Sequence, residues 1–183
     1  MRTPEQVLGP YFPAGAQPRQ GGDLVSADGR NGSPQGELVE VVGCVLDCDG
    51  KPICGAKIVI WQANSFGRYA HPNDDNSAPL DPNFDGFAEF NSDDGGGYRI
   101  RTIKPGAYPA RADWIRPPHI HFDVQGKFER LITQMYFPGE PLNAADRYLI
   151  SASYPDMLIA KPLPRATYAR HALLKFDVIL RRG

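Results

Sequence analysis

The sequence predicts an all-β protein, an antiparallel β-sandwich with long irregular loops and at most short helices. Three observations carry this. The chain of 183 residues holds 19 Gly and 18 Pro, spread too densely to leave room for long helices. The apolar runs between these breakers are short and rich in Val, Ile and aromatic residues, which suits a pleated, half-buried surface. The runs also follow one another with turn signals between them, so neighbours in sequence are expected to pair.

Taken in order, residues 1–36 read as an extended N-terminal arm, with the Gly and Pro content heaviest over 10–34. Strands are expected at 38–46, 56–62, 98–102, 119–124, 131–136 and 173–180; in the last, Phe176, Val178 and Leu180 alternate onto one side. Between the second and third, residues 64–97 mix Pro and Gly with a cluster of Asp and Asn. They read as one long loop held over a site. Residues 143–151 and 155–160 are the candidates for short helices, and no internal repeat is visible. The length suits one domain over 1–183 with a substantial core.

Composition narrows the function. Lys plus Arg number 20 against 21 Asp plus Glu, a formal net charge of −1, so nothing electrostatic favours nucleic acid or an anionic membrane, and a small-molecule partner is expected. No apolar stretch is long enough to cross a bilayer and no leader-like apolar region follows Met1, so a cytoplasmic location is expected. Cys44, Cys48 and Cys54 surround the turn signal Asp49-Gly50 and read as strand and turn packing; Cys48 and Cys54 could face each other across a hairpin and pair under oxidation.

The run Pro118-His119-Ile120-His121-Phe122-Asp123-Val124 is the most informative local feature, because alternate residues of a strand share a face and two imidazoles there can grip one metal ion. Trp114-Ile115-Arg116-Pro117-Pro118 carries a permanent cation to within a few residues of them on a stiff segment. Asp123 lies on the same face, so a zinc or manganese hydrolase using His119, His121 and Asp123 is one reading. A non-enzymatic β-sandwich binding module is another. His71 and His171 sit in polar surroundings and read as surface or hydrogen-bonding residues. Tyr69 follows Gly67-Arg68 where a strand breaks into a loop, and Tyr108 sits in the Pro-bracketed turn Lys104-Pro105-Gly106-Ala107-Tyr108-Pro109. Rigid loops aim side chains, although each ring read alone is a packing residue.

Gly67-Arg68-Tyr69, Thr102-Ile103-Lys104-Pro105-Gly106-Ala107-Tyr108-Pro109 and Arg116-Pro117-Pro118-His119-Ile120-His121-Phe122 together resemble the intradiol aromatic-ring dioxygenases, and among them the iron-bearing subunit of the protocatechuate-cleaving enzymes. The likeness covers residues 43–137, including Trp61-Gln62-Ala63-Asn64 and Leu131-Ile132-Thr133-Gln134-Met135-Tyr136-Phe137, and resumes at Phe176-Asp177-Val178-Ile179-Leu180. Near the start, Gly9-Pro10-Tyr11-Phe12 resembles the segment that helps line the family's substrate pocket.

The resemblance implies a non-haem Fe(III) cofactor bound by Tyr69, Tyr108, His119 and His121. The chemistry agrees, since phenolates are hard anionic donors suited to ferric iron. It implies substrate contacts from Pro10, Tyr11, Trp61 and Arg111, and catalytic roles for Arg116 on the activated ring, for Gln134 in a supporting hydrogen bond, and for Tyr108 as a ligand that leaves the metal and accepts a substrate proton. The substrates would be a small aromatic diol and O2, and the product a cis,cis-muconate. Tyr108-Pro109-Ala110-Arg111 stands where the protocatechuate enzymes resemble Tyr-Pro-Trp-Arg, so one aromatic wall is missing. Protocatechuate or a related substituted catechol is the expected substrate, with catechol or hydroxyquinol as the alternative. The longer N-terminal extension of that subunit and the helical N-terminal domain of the catechol enzymes are both expected to be lacking. The protocatechuate enzymes pair this subunit with a related partner; because Pro10 and Tyr11 could line a pocket of their own chain, a homo-oligomer is expected here.

Overall fold

The computed structural model of the protein describes residues 1–26, 32–164 and 171–181. Period-2 burial organises it. In β2 (Leu38–Leu46) every second residue is buried, with Val39, Val41 and Val45 inward. β3 (Lys57–Trp61) sends Ile58 and Ile60 the same way, and β8 (His119–Gln125) sends Ile120, Phe122 and Val124.

Two sheets bury these residues between them. The first runs β1 (Arg19–Gln20), β4 (Phe87–Asn91), β3, β8 and β9 (Arg130–Tyr136). The second is centred on β2, with β5 (Gly97–Ile103) antiparallel on one edge. Along its other edge lie β11 (Ala172–Lys175) and β12 (Val178–Ile179), and β10 (Lys161–Pro162) extends the sheet beyond β11. A hairpin of β6 (Tyr108–Arg111) and β7 (Trp114–Arg116) stands apart. Among the described residues, helical structure is confined to the 3-10 turns Pro141–Ala145 and Pro155–Leu158 and one turn of helix, α1 (Arg147–Ile150). Among the described residues no helix is long and apolar enough to cross a membrane.

The outer face of the first sheet carries the two histidines of β8. Strand register sets Trp61 beside His121, His121 beside Gln134, and His119 beside Tyr136. Because successive side chains alternate, the same strand that packs Ile120 and Phe122 into the core must present His119 and His121 on the other side. The N-terminal segment starts at the second sheet, where Thr3 N–H donates to Ile179 O of β12 (3.0 Å), and then crosses this face: Gln6 N–H donates to Ile132 O (2.9 Å), and the Gln134 amide to Val7 O (2.9 Å).

Four expectations are corrected. The sheets are mixed rather than antiparallel: β1 runs parallel to β4, and β11 and β12 run parallel to β2. The loop 64–97 contains β4, whose pairing with β3 comes from long-range partners that the local composition does not announce. The turn and stiff segment around Tyr108 and Arg116 form the β6–β7 hairpin. The strand 173–180 is broken into β11 and β12. At the break the Asp177 carboxylate accepts the Cys44 N–H (3.0 Å), and Phe176 O turns onto Gly43, where it accepts the Tyr98 hydroxyl. Phe176, Val178 and Leu180 still share the core side. The helical stretches at 143–151 and 155–160 are present but shorter and mainly 3-10. Cys44, Cys48 and Cys54 are free, and the Cys54 thiol donates to Asp94 (3.4 Å).

A Cβ on Gly43 would stand 1.7 Å from Phe176 O. Gly43→Ala should therefore push the C-terminal segment off β2, lowering the thermal midpoint by about 5–10 °C. A variant that melts with the wild type would contradict this packing.

Candidate metal centre

Three pieces of backbone deliver four rings to one place. β8 supplies His119 and His121 from adjacent positions on its outer face. The β6–β7 hairpin supplies Tyr108, directly opposite Arg116 in register. The loop after β3 supplies Tyr69. Asn64 folds that loop by accepting Phe66 N–H and Arg68 N–H at its side-chain oxygen (2.9 and 3.0 Å), and Asp74 fixes Tyr69 by accepting its backbone N–H (2.7 Å). The two tyrosine loops then press backbone on backbone. Gly67 has φ +81°, its added Cβ would meet Ala107 O at 2.2 Å, and one on Gly106 would meet Gly67 N at 2.5 Å. Only glycines permit that approach.

The rings are mutual neighbours, with centroid separations of 5.5 Å for Tyr69 and Tyr108, 5.6 Å for Tyr108 and His119, and 4.9 Å for His119 and His121. All four residues are at most 6% exposed. Trp61 lies flat on His121 at 4.6 Å, and Gly9 comes close to the same imidazole, where an added Cβ would stand 3.2 Å from Cε1.

The tautomers decide what this pocket can hold. His119 Nδ1 is 2.7 Å from Pro117 O and must donate to it, which leaves a lone pair on Nε2. His121 Nδ1 is buried beside the Val7 carbonyl without a well-formed hydrogen bond, and a proton there is the arrangement the carbonyl favours. Both Nε2 atoms then present lone pairs 3.2 Å apart. Two nitrogens each about 2.1 Å from a shared ion and roughly at right angles would stand about 3.0 Å from each other. The Tyr69 hydroxyl, also buried, lies near Tyr108 without a well-aligned hydrogen bond. Two imidazoles and two phenols form a donor set that fits a hard trivalent cation.

Electrostatics agree. Burial, then Arg116 and His121, hold His119 well below the usual histidine range; burial and Arg116 do the same to His121, so both are neutral ligands. Burial and the neighbouring Tyr108 push Tyr69 well above the ordinary phenol value. Burial also raises Tyr108, but Arg116 and Tyr69 oppose the rise. The protein alone keeps both phenols neutral; a cation between them would favour the phenolates.

Arg116 is a buried ion-paired residue, 2% exposed, and not the surface ion pair that is the ordinary reading of an arginine. Its Nε donates to Asp146 Oδ2 (2.6 Å), and its Nη2 donates to Gln134 Oε1 (2.7 Å) and Tyr136 Oη (2.9 Å). Burial opposes its charge, but Tyr136, Tyr108 and Asp146 more than offset this.

The other expected residues are placed unevenly. Gln134 and Trp61 are in the cluster. Tyr11 packs its ring on Tyr69 at 4.8 Å, and a cleft of about 180 Å³ opens there, lined by Tyr11, Trp61, Tyr69 and His71. A wider cleft of about 380 Å³ lies further along the same face, over Val59 and Arg130, away from the four rings. Pro10 is exposed beside Tyr11, and Arg111 is exposed at the far end of β6 near Asp113. Asp123 does not join the histidines: Arg130 takes both its carboxylate oxygens (2.9 and 2.7 Å), so the hydrolase ligand set is not assembled. His71 Nδ1 accepts Asn73 N–H and His171 pairs with Glu40. Sequence reasoning missed Asp146 and the role of Tyr136. An N-cap signal precedes Arg147, but nothing local marks the contact with Arg116 thirty residues earlier.

A family model described as Dioxygenase matches residues 7–182. The protocatechuate 3,4-dioxygenase beta chain of Burkholderia cepacia is 45% identical over 87% of this chain and 71% of its own length. This chain belongs to the intradiol ring-cleaving dioxygenases. The members are oxidoreductases, and the family uses non-haem iron. The catechol 1,2-dioxygenase of Acinetobacter baylyi is 33% identical over 79% of this chain, which spans only about half (49%) of that relative. The dioxygenase domain of a dioxygenase carbohydrate-binding protein fusion from Streptomyces sp. SirexAA-E superposes with a TM-score of 0.77 at 29% identity, over 100% of both chains. Membership sets aside the binding-module and hydrolase readings.

Metal-free protein should lose stability as pH falls from 7.5 to 5.5. The folded-state values of His119 and His121 lie below the unfolded value of about 6.5, so the unfolded chain binds more protons, at up to about 1.4 kcal/mol per pH unit for each histidine. Chemical denaturation of chelator-treated protein across that range reads the slope, and a flat profile would contradict two buried neutral imidazoles.

Proposed function

We propose that the protein binds one ferric ion through Tyr69, Tyr108, His119 and His121 and cleaves protocatechuate or a related substituted catechol with O2, between the two hydroxylated carbons, to a cis,cis-muconate. The observation that carries this is the pair of buried Nε2 atoms, 3.2 Å apart, with two buried phenols beside them. Bound there, ferric iron would supply Lewis acidity to both oxygens of the diol and draw electron density from its ring.

The chain's own groups do the rest. Tyr108 is the tyrosine placed to release the metal and take a proton, because it stands on the separate β6–β7 hairpin, while Tyr69 is held by its Asp74-anchored loop. It would take one diol proton at Oη. His119 and His121 stay neutral and fixed, the first by Pro117 O and the second by Trp61 and the N-terminal segment. Arg116, charged in a dry surrounding, would stabilise anionic character on the ring. Gln134 would keep the guanidinium in plane through its own bond to Val7 O. Tyr11 and Trp61 would bound the ring, with Pro10 at the rim.

Two observations support a carboxylated ring: the 45% identity to a protocatechuate enzyme chain, and an exposed Arg111 on the hairpin that carries Tyr108. Ala110 beside it leaves room that also suits catechol or hydroxyquinol. Because Tyr11 reaches Tyr69 of its own chain, a homo-oligomer suffices to complete the pocket; the beta-chain name of the relative keeps a related partner subunit as the second possibility.

Iron-loaded protein given protocatechuate, catechol or hydroxyquinol should consume one O2 per diol and form a diacid, with one atom of labelled oxygen in each new carboxyl group. Protocatechuate should have the highest kcat/KM. A semialdehyde product would overturn the intradiol assignment, and a tenfold preference for catechol would overturn the substrate. Tyr69→Phe should lose at least about 100-fold in kcat, and normal turnover by that variant would remove Tyr69 from the ligand set.

A further inference from the structure

The guanidinium of Arg116 has five N–H groups; well-formed hydrogen bonds take three of them, and the group also lies against the Tyr108 hydroxyl. Nε–H goes to Asp146 Oδ2, and the two on Nη2 go to Gln134 Oε1 and Tyr136 Oη. Asp146 is fully buried (0% exposed) and binds three groups at once. Besides the Arg116 pair, its Oδ1 caps α1 by accepting Leu149 N–H (2.9 Å) and lies 3.1 Å from Tyr136 Oη, which has one proton to give and gives it best to a carboxylate. Tyr136 and Gln134 are also 0% exposed. Arg116 is further enclosed by the Tyr148 and Trp114 rings at 4.8 and 5.4 Å. Among the groups in this network Asp146 is the one anion.

We propose that Asp146 is the positioning residue of the reaction: it clamps the Nε and Nη2 edge of Arg116, directly and through Tyr136, so that the guanidinium is held against the Tyr108 hydroxyl in the orientation it offers to the substrate. This deepens the function proposed above and rests on it. The guanidinium cannot rotate without stripping a buried carboxylate of its partner, so its orientation is set before substrate arrives. Asp146 also ties that orientation to the segment 141–150, because the same carboxylate begins α1. The site is thereby coupled to an element that supplies none of the four clustered rings.

The test is a double-mutant cycle in the iron-loaded protein. Asp146→Asn keeps the cap and the shape but removes the charge; Asp146→Ser keeps the cap alone. Both should bind iron as the wild type does and keep its visible absorption, with kcat lowered at least 30-fold and KM changed less than threefold. In an Arg116→Gln background Asp146→Asn should cost less than twofold further, because the group it acts through is gone. Equal losses in both backgrounds, or kcat within threefold of wild type in the single variant, would overturn the proposal. Tyr136→Phe keeps the ring packing and should lower kcat about three- to tenfold by loosening the same clamp; unchanged kcat would count against it. Metal-free protein gives a readout without turnover: either single substitution at 116 or 146 should lower the melting midpoint by on the order of 10 °C, and the double should regain part of it. Additive midpoints would overturn the clamp. Wild-type protein that binds iron but cleaves no catechol would instead refute the proposed function, while leaving the coupling in the metal-free protein intact.

Discussion

Two imidazole nitrogens with lone pairs directed into the same dry space are an arrangement that a folded chain does not support without return. His119 and His121 hold that arrangement because the other nitrogen of each ring faces a backbone carbonyl, Pro117 O for one and Val7 O for the other. Burial removes water as the mediator, and the phenols of Tyr69 and Tyr108 add two oxygens that the protein alone keeps protonated. Each buried polar atom without a partner costs about 1–3 kcal/mol. A cation there would accept both lone pairs and favour both phenolates, relieving the unpartnered Tyr69 hydroxyl in particular. That mismatch is the observation on which the proposed metal site rests.

The fold serves that mismatch. One sheet face must carry apolar residues into the sandwich, so the opposite face is free for polar ones, and β8 uses the alternation to set its two histidines side by side. The tyrosines come from loops, where positions are ordinarily loose, and the contact of Gly67 with Ala107 and of Gly106 with Gly67 removes that looseness. The N-terminal segment closes the assembly by lending β9 a backbone partner and the Gln134 side chain an acceptor. Arg116 then brings a charge into the dry region, and the chain holds it with a carboxylate and a phenol from outside the ring cluster.

Much of this was legible beforehand. The alternation in 38–46 and 119–124 is a local property, so those strands and the shared face of His119 and His121 could be read directly. The tyrosines could not be read that way: local sequence says that Tyr69 and Tyr108 sit at rigid turns, and only the resemblance joins them to the histidines. β4 stayed hidden because its stability comes from β3 and not from its own composition. The break at Phe176-Asp177 was invisible for a related reason, since a side chain there replaces a ladder acceptor that the sequence pattern assumes to be backbone. Asp146 lies thirty residues from Arg116, and a pairing of that kind leaves no periodic trace.

The most direct test of the account is a crystal structure of the iron-loaded protein with anomalous scattering recorded at the iron edge. The account predicts one iron peak per chain, bonded to Tyr69 Oη, Tyr108 Oη, His119 Nε2 and His121 Nε2. A peak bonded to Asp123, or an iron that leaves either Nε2 without a bond, would contradict it.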